Sequence, residues 1–122
     1  MTAETKTRTY AGSCHCGRVR FEVTTDLARV MACNCSYCSR VAHLLTFVPA
    51  ADFKLLAGED ALTEYLFNRK HIHHQFCATC GIRAFGYGAG ADGKPVRSVN
   101  VRCLEGVDLD ALPITHFDGK NR

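Results

Sequence analysis

The chain has no long apolar run. Its most apolar stretch, VAHLLTFVPAA at residues 41–51, is too short to cross a bilayer and carries a histidine. The opening MTAETKTRTY lacks the apolar segment of a secretory leader, so a soluble, cytoplasmic protein with no membrane association is expected. Neither sign of charge dominates: 15 basic side chains face 12 acidic ones, for a net +3. There is also no stripe in which basic and aromatic residues alternate, which argues against a nucleic-acid partner. No repeat, low-complexity run or linker divides the 122 residues, and hydrophobic residues at 47% exclude a disordered chain. One domain over residues 10–122 is expected, behind a flexible segment at 1–9.

Cysteine is abundant. There are eight, without the export signal that would favour disulfides, so reduced thiolates holding metal are the better reading. They cluster as Cys14/Cys16 (C-x-C), Cys33/Cys35/Cys38 (C-x-C-x-x-C) and Cys77/Cys80 (C-x-x-C), with Cys103 alone. A closed structural zinc site takes four ligands, commonly two pairs from distant parts of a chain, whereas an open site takes three and leaves one position exchangeable. The two outer pairs therefore form one closed site, Cys14/Cys16/Cys77/Cys80, and the triplet forms one open site, Cys33/Cys35/Cys38. Cys103, inside SVNVRCLEG, is read as a buried apolar residue.

Short alternating segments predict a mainly β domain. GSCHCGRVRFEV reads as one strand, on which Cys14 and Cys16 would share a face. CATCG reads as a tight turn whose glycine permits a positive φ and lets backbone N–H groups face the sulfurs. Residues 33–40 read as a loop with a short helical turn. HLLTFVPAADFKLL is extended and interrupted by Pro49, and the first half of LTEYLFNRKHIHHQFC is a strand. GIRAFGYGAG is a strand entering a turn, and PVRSVNVRCLEG is another strand. VDLDALPITHFDGKNR is a tail with a turn of helix at most.

With these segments in view, the chain resembles the glutathione-dependent formaldehyde-activating enzyme family. GSCHCGRVRFEV, CNCSYCSR, FCATCGIRAF and VNVRCLEGVDLDALPITHFDGKN carry the resemblance, in that order, across residues 12–121. It implies an Mss4-like β-tent of packed antiparallel sheets clamped by zinc. It also implies structural zinc on Cys14, Cys16, Cys77 and Cys80, and catalytic zinc on Cys33, Cys35 and Cys38. The implied activity is that of a carbon–sulfur lyase acting on S-hydroxymethylglutathione or a similar adduct of a small thiol such as glutathione with an aldehyde.

Chemistry leads to the same class of substrate. Three cysteinates make a zinc centre a weak Lewis acid suited to a soft ligand, of which a thiol is the obvious one. His43, five residues after the triplet, is a candidate base, hydrogen-bond partner or fourth ligand. Tyr37, between two ligands, is a candidate pocket wall. Arg69, Lys70, His71, His73 and His74 offer a basic rim for the carboxylates of glutathione, or a solvated strand edge. His71 and His73 would share one face and His74 the other. The alternative function is a non-catalytic zinc module that binds another protein.

Overall fold

The computed structural model describes residues 7–66, 73–90 and 92–121. The alternating segments form strands and divide between two sheets. β1 (Arg8–Ser13), β2 (Arg20–Thr25) and β5 (Phe53–Ala57) make a three-stranded antiparallel sheet in the order β1-β2-β5. The second sheet contains β3 (Val30–Cys33), β4 (Leu45–Pro49), β6 (Leu62–Tyr65), β7 (His73–Cys77), β8 (Phe85–Ala89), β9 (Pro95–Asn100) and β10 (Ile114–Phe117). Its order is β10-β3-β4-β9-β8-β7-β6. The fold is mainly β: the one α-helix among the described residues is a single turn, α1 (Cys38–Val41). No helix among them is long and apolar enough to cross a membrane.

The core lies where the sheets face each other. Phe21 of β2 is fully buried and meets Phe53 of β5 at 5.2 Å between ring centroids and Phe85 of β8 at 5.9 Å. Gly12 makes room for it, because a Cβ there would fall 2.3 Å from the Phe21 ring. Val19, Val23, Val30, Val99 and Val101 complete this apolar layer. Pro49 ends β4, and one turn of 3-10 helix at Ala50–Asp52 then carries the chain from one sheet to the other.

Four expectations from the sequence are corrected. GSCHCGRVRFEV is two strands, not one: the Gly17 N–H donates to the Cys14 carbonyl at 3.3 Å, and Gly17 sits at φ +82°, a left-handed turn. Cys14 and Cys16 therefore converge through a turn rather than along a strand face. PVRSVNVRCLEG leaves the sheet after Asn100, whose side chain accepts the Arg102 N–H and starts a 3-10 turn. The tail contains a strand, β10, paired in parallel with β3, so the larger sheet is mixed rather than purely antiparallel. Finally, Arg8 and Thr9, expected ahead of the domain, are the first residues of β1.

Candidate metal centres

The four outer cysteines meet. Cys14 and Cys16 come from the β1–β2 turn, Cys77 ends β7, and Cys80 follows in the turn after it. Their sulfurs all lie within 4.8 Å of one another, with Cys14–Cys16 and Cys16–Cys77 both at 3.6 Å. A disulfide needs about 2.05 Å. Four sulfurs placed tetrahedrally about 2.3 Å from zinc stand about 3.8 Å apart, so the set fits the ion. The glycine expected to close the second turn does so: Gly81 is at φ +81° and its N–H bonds the Cys77 carbonyl at 2.7 Å. Burial opposes ionisation of Cys80, but backbone N–H groups of Cys16 and Ile82 outweigh it and bring the thiol down to about 6.

The triplet also converges. Cys33 ends β3, Cys38 begins α1, Cys35 lies between them, and their sulfurs are within 4.8 Å of one another. The chain wraps its sulfurs in backbone donors: the Cys35 N–H reaches Cys33 Sγ at 3.4 Å, and the Cys38 N–H reaches Cys35 Sγ at 3.3 Å. Burial pushes the Cys38 thiol up, helped by the neighbouring sulfurs.

His43 is brought to this centre but not into the ligand set. Its Nε2 is 3.1 Å from Cys38 Sγ, yet among the described residues the mutually close donor atoms are those of the three cysteines alone. Ala42, at φ +59°, turns the chain after α1 so that His43 points back. Burial, then the charge of Arg83, brings His43 down to about 3, so it is a neutral hydrogen-bond partner of Cys38. Tyr37 lies over the same region, with its ring 4.1 Å from that of His74 and stacked on Tyr65 at 5.8 Å.

Other candidates separate. His73 and His74 point to opposite faces, as expected of neighbours on a strand. His73 pairs with Glu64 at 2.9 Å, and His74 is buried under Tyr37. Arg69, Lys70 and His71 lie outside the described residues. Cys103 is half-buried against the core, and burial raises its thiol to about 11.

Two parts of the site were missed in the sequence. The first is the tail. The Asn34 amide donates to Asp118 at 2.9 Å and accepts the Lys120 N–H at 2.8 Å, and Gly119 packs so tightly on Cys33 that a Cβ would fall 2.5 Å from its sulfur. The glycine of FDGKN was the available signal. The second is Arg83, a buried cation in the β7–β8 connection whose side chain reaches His74 of β7 and Ser98 of β9.

A mainly β chain with one four-cysteine cluster and one three-cysteine loop belongs with proteins whose cysteine groups could hold zinc. A family model for the glutathione-dependent formaldehyde-activating enzyme matches residues 9–117, and the chain belongs to that family. It is also similar to a crystal structure of a Rhodobacter sphaeroides protein, at 33% identity and a TM-score of 0.75, over 86% of this chain and 99% of that one.

Proposed function

We propose that the Cys33/Cys35/Cys38 centre binds a small thiol or its aldehyde adduct, of the S-hydroxymethylglutathione type, in a carbon–sulfur lyase reaction, and that the Cys14/Cys16/Cys77/Cys80 centre is structural. The observation that carries this is the count of donors. Three sulfurs from one loop converge, and among the described residues His43 hydrogen-bonds Cys38 without joining the set. Zinc held there would supply an open position that favours a thiolate. The reaction joins the thiol sulfur to the aldehyde carbon, with the S–H proton ending on the former carbonyl oxygen; the lyase direction is its reverse.

The residues of the chain have distinct parts in this reading. The backbone donors and His43 fix the cysteine sulfurs. Tyr37, stacked on Tyr65 and tilted against His74, walls off one side. Asn34 ties the tail over Cys33. The exposed rings of Phe47 and Tyr65 stand at the two ends of one cross-strand row, Phe47–Ser98–Gly86–His74–Tyr65. Tyr65 stacks on the cysteine loop itself, through Tyr37, which favours a site wall over a remote protein-docking patch.

The test is calorimetric titration of glutathione into zinc-loaded protein, beside the Cys38→Ser variant. Binding of one thiol per chain that disappears in the variant supports the reading. Equal binding by both proteins, or by neither, contradicts it.

A further inference from the structure

Arg83 is only 3% exposed, and an arginine so buried normally has a carboxylate partner. Among the described residues the one ion pair is His73–Glu64, and none of their carboxylates pairs with Arg83. Its hydrogen bonds go to neutral groups. Nη2 donates to Ser98 Oγ at 2.9 Å and to His74 Nδ1 at 3.2 Å, and Nη1 donates to the Ser98 carbonyl at 3.3 Å; Nε has no partner.

The fold makes a place for this group. Gly86 pairs with His74 on one side and Ser98 on the other, and the guanidinium lies over it. A Cβ at Gly86 would fall 2.3 Å from Arg83 Nη2. Covering the cradle is Tyr37, whose ring is 4.1 Å from that of His74 and whose chain neighbour is Cys38. His43, 3.1 Å from Cys38 Sγ, closes the other side of Tyr37, with ring centroids 5.9 Å apart. A buried, uncompensated cation is costly, so this geometry calls for a nearby negative charge. The cysteine triplet is that charge: three thiolates around a divalent ion leave one net negative charge before a further ligand arrives.

We infer that Arg83 is the buried counter-charge of the Cys33/Cys35/Cys38 metal centre, held by Ser98, His74 and Gly86 and acting across Tyr37. It is a positioning residue, not a ligand. The inference rests on the reading of the triplet as a metal site. It adds that the chain stabilises the anionic, loaded form through a residue in the β7–β8 connection, outside the cysteine loop. Residues that act on a metal centre through its ligands typically change metal affinity about 10- to 100-fold.

The experiment measures zinc affinity at each centre by chelator competition, with cobalt absorption as a second readout of thiolate ligation. In Arg83→Met, zinc at the triplet should bind at least tenfold more weakly, while the four-cysteine centre keeps its affinity. Arg83→Lys, which keeps the charge but not the planar fork, should stay within about threefold of wild type. Ser98→Ala should weaken the triplet alone, by a smaller factor, and it decides the matter if Arg83→Met does not fold. Wild-type affinity at the triplet in Arg83→Met, or parallel loss at both centres in Ser98→Ala, overturns the proposal. If Arg83→Met keeps its zinc but loses glutathione binding relative to 2-mercaptoethanol, Arg83 anchors a ligand carboxylate instead, and the counter-charge role is wrong. A wild-type chain that takes up zinc at only one centre removes the metal reading itself, a failure visible before any variant is made.

Discussion

Cys16 Sγ lies 3.6 Å from Cys77 Sγ, although 61 residues separate them. The contact ties the β1–β2 turn of the smaller sheet to the end of β7 in the larger one. Metal bound between segments so far apart contributes its binding free energy to folding. Cys80→Ser should therefore lose one zinc and melt at a sharply lower temperature or not fold at all. Metal content and a thermal melt followed by circular dichroism check this. A variant that folds normally and keeps its full zinc would refute the clamp.

Phe21 is the apolar counterpart of that clamp. Its ring meets Phe53 of β5 in its own sheet and Phe85 of β8 in the other. Phe21→Ala should cost about 3–5 kcal/mol, the usual range for a buried aromatic, because Gly12 leaves no side chain to fill the void. Urea denaturation gives the value, and a loss under about 1 kcal/mol would show that the sheets pack without it.

Gly119 tests the tail. Its backbone lies against Cys33 Sγ, with a Cβ-to-sulfur distance of 2.5 Å if a side chain were present. Gly119→Ala must push the sulfur or the tail aside. Zinc at the triplet should weaken while the melting temperature of the clamped domain changes little. Unchanged zinc affinity would mean that the tail yields freely and does not shape the centre.

His74 gives a pH dependence with a definite sign. Burial, then Arg83 and His73, brings its pKa down from 6.5 to about 4. Between these values the unfolded chain binds a proton that the folded chain does not, so stability falls as pH drops from about 6.5 towards 4. Arg83 donates to Nδ1, and protonation would remove that acceptor. His74→Gln keeps an acceptor and removes the titration. Between about pH 7 and about pH 5 the urea midpoint should fall less in the variant than in wild type. Equal slopes would mean that His74 takes up its proton within the folded state.

The cysteine groupings were legible because chelation imposes spacing: paired and tripled thiols at short intervals have few other uses in a chain without disulfides. The β class was legible because alternation survives in RFEV, FKLL and PVRSVN. What the residues did not reveal was context. Alternation continues through GSCHCGRVRFEV, but Gly17 and the convergence of two sulfurs break it into a turn. HFDGKN looks irregular, yet parallel pairing with Val30–Cys33 makes a strand of Ile114–Phe117. A parallel partner distant in the chain leaves no local signal. Arg83 reads as a surface charge in GIRAF, since only the neighbouring strands reveal that Gly86, between His74 and Ser98, gives it a buried place.

The central claim is that the triplet holds one ion with a position free for a thiol, separately from the clamp. The most direct measurement is zinc stoichiometry and glutathione titration on Cys35→Ser and Cys38→Ser, with circular dichroism on the same samples. The account predicts loss of about one zinc per chain, loss of thiol binding and a largely intact fold, since one short loop contributes little to closing the domain. If either variant unfolds as badly as Cys80→Ser, or binds glutathione as wild type does, the centre is structural and the functional reading fails.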